Sequence, residues 1–341
     1  MKSYQLSSLD TLFKQLATQH EMFEPQQLPG SSDLHWLPSP EGPNDQYSSA
    51  KKRLPLAPAK GFLFAEREVL FHFDGKTFIK TVPKVKPQVL FGLQSCDLCA
   101  IAYQDQFFKG DSHYQTRRQA TLLVGFDCLT PCDGGCCSTV DAGPFVRNGS
   151  ADLILHPKGD EWLLISTSEQ GDRLIQPLNL SSAPSHWLEQ RHKGEAEVVK
   201  RFPSDQHIKS SIKKINQATI TAEQWQQLGL QCLTCSGCTN LCPTCSCFTT
   251  FDQNIDGESA AFKRERCWDS CLYEAFQRES SGHNPSKEAG ERLQRYWFHK
   301  FSDHYADEFN RYGCVGCGRC EQTCPGGIGI HSIMRRLENA S

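Results

Sequence analysis

Cysteine spacing constrains this chain more than any other feature. Cys232, Cys235, Cys238 and Cys242 form a C-x2-C-x2-C-x3-C run closed by Pro243, and Cys314, Cys317, Cys320 and Cys324 repeat it, closed by Pro325. Three thiolates in two short turns reach three irons of one cubane, and the proline ends the segment so that the last thiol points elsewhere. This is the bacterial run for a [4Fe-4S] cluster, and in two-cluster proteins the fourth cysteine of each run binds the other cluster. The expected ligands are therefore Cys232, Cys235, Cys238 and Cys324 for one cluster, and Cys314, Cys317, Cys320 and Cys242 for the other. Zinc ribbons also use C-x2-C pairs. A ribbon, however, needs two such pairs per site and leaves the triple spacing and both prolines unexplained. Two [4Fe-4S] clusters make the chain an electron carrier.

Composition bounds the setting. At 341 residues the chain has room for about two domains, and 38% hydrophobic residues are enough for packed cores. A formal net charge of −3 gives no reason to expect nucleic acid or an anionic membrane surface as partner. The short basic run Lys51-Lys52-Arg53 reads as a solvated loop. Eighteen cysteines fall below the density of a small disulfide scaffold. The opening residues, Met1 to His20, lack the apolar centre of a signal peptide, and no apolar stretch is long enough to span a membrane. The expected compartment is the reducing cytoplasm, where clustered cysteines signify metal or redox chemistry more often than disulfides.

The apolar pattern predicts an α+β protein: a mixed α/β domain over 1–200 with a cysteine-rich edge, then an α-helical ferredoxin-like dicluster domain over 201–341. Leu9, Leu12, Phe13 and Leu16 have helical spacing after Ser7. Residues 24–60, rich in Pro, Gly, Ser and Asn, read as irregular connection. Short apolar runs at Phe62–Phe64, Val69–Phe71, Val89–Phe91, Thr121–Gly125, Leu153–Leu155 and Trp162–Ile165 read as strands, with a hairpin-type turn at Asp74-Gly75 and a helix over Ala100–Phe108. Further on, Ile208, Ile212 and Ile215 share a helix face, and Thr221 to Gln224 is a capping box opening a helix that leads into the first cysteine run. Between the runs, Ala260–Phe276 and Lys287–Phe301 both carry apolar residues at helical spacing.

Ten cysteines lie outside the runs. Cys96 and Cys99 follow the strand VLFGLQS, and Cys128, Cys132, Cys136 and Cys137 follow the strand TLLVG. If those strands are parallel neighbours, their ends converge where α/β sheets place their sites. A third iron–sulfur cluster is then expected on Cys96, Cys128, Cys137 and one of Cys132 or Cys136. The competing reading is a set of buried thiols acting as small apolar side chains. Cys245, Cys247, Cys267 and Cys271 read as packing or as hydrogen-bonding neighbours of the first cluster, and His283, His299 and His304 as structural.

Taken together, these residues resemble the iron–sulfur β subunit of cytosolic sulfhydrogenases and the A subunit of anaerobic sulfite reductase, from about residue 50 to residue 330. The markers are Ser95-Cys96-Asp97; Asp111, Tyr114 and Arg117-Arg118; Cys128, Cys137 and Gly143-Pro144; Cys242 to Cys247; Trp268 to Cys271; Asn284-Pro285; His299-Lys300; and Cys314 to Cys320. Gly135-Cys136-Cys137 stands where the family carries Cys-aromatic-Cys, which leaves the fourth ligand of the N-terminal site open. The resemblance implies a non-catalytic relay between a flavin subunit that handles NAD(P)H and a catalytic subunit, a hydrogenase or a sulfite or sulfur reductase. No G-x-G-x-x-G or phosphate loop is present, so nucleotide and flavin are expected on the partner. The alternative is a sulfur- or disulfide-reducing enzyme that uses the N-terminal cysteines. A DNA-binding regulator would bring a basic helix pair, and none is evident.

Overall fold

The computed structural model describes residues 2–39, 42–43, 54–255 and 261–339, and the basic run at 51–53 lies outside them. Its first part is built from β1 (Lys2–Leu6), α1 (Leu9–Ala17), β2 (Glu21–Gln27), β3 (Leu34–Pro38), β4 (Arg67–Phe73), β5 (Phe78–Lys80), β6 (Gln88–Gln94), α2 (Ser95–Phe107), α3 (Ser112–Gln119), β7 (Thr121–Phe126), β8 (Leu153–Lys158), β9 (Glu161–Ser166), α4 (Glu169–Ile175) and α5 (Ser185–Val199).

Seven of these strands make one sheet in the order β1-β9-β8-β7-β6-β2-β3, with β2, β6, β7 and β8 parallel at its centre. Both faces of the centre are covered, so every residue of β6 and β7 is buried. That burial is why they read as unbroken apolar runs rather than alternating ones. On one face, Leu12, Phe13 and Leu16 of α1 pack against Phe91, Val124 and Leu155. On the other, Leu98 and Ile101 of α2 and Tyr114 of α3 meet Leu90, Leu123 and Ile154. Helix α1 starts where Ser8 accepts a hydrogen bond from the Asp10 amide, a cap worth about 1 kcal/mol.

Two local expectations are corrected here. Residues 24–60 are not all irregular, because Glu24 to Gln27 finish β2 and β3 pairs antiparallel with it. Phe62-Leu63-Phe64 is not a strand: Ala59–Phe62 is a short 3-10 turn that presents Leu63 and Phe64 to the core.

The remaining elements are α6 (Gln206–Asn216), α7 (Ala222–Gly229), α8 (Gly237–Asn240), β10 (Phe248–Asn254), β11 (Phe262–Trp268), α9 (Ala289–Phe301), α10 (Asp303–Phe309), α11 (Arg319–Thr323) and α12 (Ile330–Asn339). The capping box at Thr221 forms as expected. Ile208, Ile215, Trp225, Leu293, Trp297, Phe301, Ile333 and Leu337 build a helical core that also contains Cys96, Cys99 and Cys136 from the first part of the chain. The helix expected over Ala260–Phe276 is instead β11. It pairs antiparallel with β10 on one side and with β4 on the other, in a four-stranded sheet ordered β10-β11-β4-β5. Its strand state comes from pairing on both edges, one of them offered by β4, far away in sequence, which local spacing does not reveal. Among the described residues, no helix is long and apolar enough to cross a membrane.

Candidate metal centres

The first cysteine run leaves α7 and turns sharply, with Thr234 and Ser236 at φ 51° and 62°, before α8 carries Cys238 inward. Cys232, Cys235 and Cys238 line a small cavity, and the fourth cysteine on its wall is Cys324, from the second run. Leu272, Leu293, Tyr296, Trp297 and Ile328 supply the rest of the lining that matters here. Cys235 is solvent-exposed while its companions are partly covered. Burial pushes the Cys238 thiol up to about 12 and raises Cys232 as well. A soft-metal donor set in an apolar cup fits an iron–sulfur cluster. Trp297, on the same wall, also carries a buried Nε1 with no hydrogen-bond partner among the described residues.

The second run mirrors this arrangement. Burial, and then the charge of their neighbours, raises the thiols of Cys314 (to about 12), Cys317 and Cys320, and Cys242 from the first run is among the neighbours of all three. The backbone amide of Gly316 donates to Cys314 Sγ at 3.3 Å, and that of Ile328 donates to Cys324 Sγ at 3.4 Å. Cys242 is held well below the ordinary thiol range, first by a hydrogen bond from Cys245 and then, against burial, by Lys300 and Thr244. Lys300 Nζ stands 3.2 Å from Cys242 Sγ. Burial works to strip the Lys300 proton, but the charge of Cys242 and Cys245 outweighs it and raises its pKa.

A third group of thiols forms where β6 and β7 end. Their parallel register pairs Gln94 with Phe126, so Cys96 and Cys128 each stand two residues past a paired position. Cys96, Cys128, Cys132 and Cys137 line a small cavity, together with Gln94, Thr130, Gly316 and Cys317. Cys136 and Cys99 are absent from that lining. Cys136 is buried instead in the helical core, and burial together with the charges of Cys314, Cys137 and Cys317 raises its thiol.

This loop is pressed against the second run. The Cys136 amide donates to Gly316 O at 2.7 Å, and Gly316 has a φ of 62° with Cys136 backbone atoms where a Cβ would sit. Arg319, inside the second run, donates to both oxygens of Asp97 at 2.6 and 2.8 Å and to Pro55 O at 2.9 Å. Arg319 and Asp97 are 1% and 2% exposed, so the pair is fully withdrawn from water. Among the described residues no three Cys, His, Asp or Glu side chains gather tightly enough for a single metal ion.

Sequence reasoning named Asp97, Lys300 and Arg319 only as family markers, with no contact or role assigned, and missed Lys60, because nothing local marks what these side chains meet. Lys60 is buried with its ammonium 3.3 Å from Thr239 O and 3.2 Å from Cys245 O, and burial lowers its pKa. Of the remaining cysteines, Cys247 and Cys271 share a thiol hydrogen bond that brings Cys247 down to about 6 and raises Cys271. Cys267 sits in β11. His283, His299 and His304 line none of the thiol cavities, and burial takes His299 down to about 4.

Comparison with known proteins finds two matches. Residues 231–328 match the family model described as a 4Fe-4S dicluster domain. The chain is 28% identical over 280 residues to sulfhydrogenase 2 subunit beta of Pyrococcus furiosus, covering 80% of each. No solved structure matches it.

Proposed function

Because the chain belongs to the sulfhydrogenase β-subunit family, we propose that it relays electrons one at a time along a row of three iron–sulfur sites inside an oxidoreductase complex. It is an iron–sulfur electron-transfer subunit. In this reading Cys232, Cys235, Cys238 and Cys324 hold one [4Fe-4S] cluster, and Cys314, Cys317, Cys320 and Cys242 hold a second. Cys96, Cys128, Cys132 and Cys137 hold a third. Such a cluster supplies a one-electron couple somewhere between roughly −700 and +450 mV. The observation that carries the reading is the exchange of fourth cysteines: Cys324 stands on the cavity wall of the first run, and Cys242 neighbours the thiols of the second.

Contiguity gives the order of the row. Cys238 of the first site feels the charge of Cys242 in the second, and Cys317 of the second lines the cavity of the third. Cys235 is exposed, so the first-run site is one end of the row and the N-terminal site the other. The helices that flank the runs serve as the ferredoxin-like frame of residues 201–341. Residues 1–200 form the mixed α/β part that carries the N-terminal site. The partners in this reading are a flavin subunit that handles NAD(P)H and a catalytic hydrogenase or sulfite or sulfur reductase subunit, in the cytoplasm.

Anaerobically purified full-length chain is expected to hold about twelve irons. Cys128→Ala is expected to remove about four of them without unfolding the chain. The protein passes electrons from dithionite to artificial acceptors but reduces neither sulfite nor protons, because four thiolates leave no iron position open. About eight irons in the wild type, unchanged in Cys128→Ala, removes the third site. Turnover of sulfite or protons by the purified single chain overturns the relay and makes it an enzyme.

A further inference from the structure

The two cysteine runs have the same spacing, but their surroundings differ in charge. Lys300 of α9 is 6% exposed, and among the described residues no carboxylate forms an ion pair with it. Its ammonium donates to Thr244 Oγ1 at 2.8 Å, Cys242 Sγ at 3.2 Å, Gly313 O at 3.3 Å and Cys245 Sγ at 3.4 Å. Of those acceptors, only a sulfur can carry a full negative charge. A buried ammonium with no counter-charge is expelled or neutralised, so Lys300 requires an anion at one of these two sulfurs, of which Cys242 Sγ is the nearer. The first-run cavity is lined by Leu272, Leu293, Tyr296, Trp297 and Ile328 and has no Lys or Arg on its wall. Arg292, whose charge acts on Cys232, directs its guanidinium to the carbonyls of Ser286 and Lys287 rather than to a thiol, and Lys60 directs its ammonium to the carbonyls of Thr239 and Cys245. Near the second run, Arg319 is already neutralised by Asp97.

We propose that Lys300 is a positioning charge that sets the second-run cluster at a higher reduction potential than its first-run twin. This rests on the assignment of Cys242 as a ligand of that cluster. Reduction adds one electron to a cluster whose thiolate lies 3.2 Å from a fixed cation, and in a dry site that attraction favours the reduced form. No bond is made or broken and no proton moves. The consequence is a downhill step from the exposed first-run site inward, with the return step uphill.

The test is an anaerobic redox titration of the full-length chain followed by electron paramagnetic resonance, with iron analysis of each sample. Cys324→Ala identifies the first-run signal by removing it. Lys300→Met and Lys300→Gln are expected to shift only the second-run couple downward, by at least tenfold in its one-electron equilibrium (59 mV). Lys300→Arg, which keeps the charge, is expected to hold the wild-type potential. An unshifted couple in the Met and Gln variants overturns the proposal, as does an equal downward shift in the Arg variant. If the Met and Gln variants lose the second-run iron while the Arg variant keeps it, the charge is the counter-ion the site requires. Loss in all three assigns Lys300 to packing and overturns the proposal. A failed ligand assignment shows itself separately, as Cys242→Ala leaving the second-run signal intact.

Discussion

Gly316→Ala tests how tightly the N-terminal cysteine loop is held against the second run. Built at Gly316, a Cβ falls 2.5 Å from the carbonyl carbon and oxygen of Cys136 and 2.6 Å from the Cys137 amide nitrogen. Carbon contacts need roughly 3.5 Å, so one backbone must retreat by about 1 Å. The φ of 62° adds strain of its own, about 1–2 kcal/mol for a residue with a Cβ. Gly159 provides the control: it has a φ of 63° with nothing within 4 Å of the added carbon, so Gly159→Ala carries the strain without the collision. The collision adds about 1–3 kcal/mol, and retreat breaks the 2.7 Å bond from the Cys136 amide to Gly316 O. Gly316→Ala should therefore cost about 2–5 kcal/mol, against about 1–2 for Gly159→Ala. It should also release iron from the site whose Cys132 and Cys137 ride on the displaced loop. Guanidinium unfolding and iron analysis of anaerobically purified variants measure both effects. If Gly316→Ala matches Gly159→Ala in stability and keeps the wild-type iron content, the loop is not held as described.

Three further outcomes are expected. Cys324→Ala should remove the first-run cluster and spare the second, and loss of only the second-run signal would show that the fourth ligands are not exchanged. Arg319→Met strands the Asp97 carboxylate in the interior and should destabilise by about 3–5 kcal/mol, with most of that recovered in the double variant with Asp97→Leu. A double variant as unstable as the single one contradicts this. Burial raises the Asp127 carboxyl, but hydrogen bonds from His156 and Arg191 outweigh it and hold its pKa below the ordinary value. A depressed folded pKa contributes stability that is present above the unfolded value of about 3.9 and lost as pH falls through the folded one. Asp127→Asn should therefore lower stability at neutral pH and flatten its loss in that acid window, and an unchanged acid profile would refute the linkage.

The residues legible in the sequence were those whose neighbours are close along the chain. Both cysteine runs announce their thiols by spacing, and the apolar runs at Val89–Phe91 and Thr121–Gly125 predicted the strands that end beside Cys96 and Cys128. The choice between Cys132 and Cys136 was not legible, because both sit in one short loop and only the packing of Cys136 on Gly316 separates them. The role of Lys300 was not legible for a related reason. A lysine in the last turn of a helix reads as a solvated C-terminal charge, and its burial comes from Cys242 and Gly313, elsewhere in the chain. Strand β11 carries a periodicity loose enough to pass for helix, and its registers against Phe248–Asn254 and Arg67–Phe73 decide the matter.

That pairing also bears on how the chain folds as it is made. Until Trp268 has left the ribosome, β4 has only β5 beside it, and a two-stranded hairpin is marginal in water. During that interval Phe71, Phe73 and Phe78 lack Phe262, which later packs against all three. Contacts that wait on so much intervening chain form slowly, and an unpaired apolar edge invites association in the meantime. Synthesis slowed after the first run, or a fragment ending near residue 200, would leave that edge open and favour aggregation.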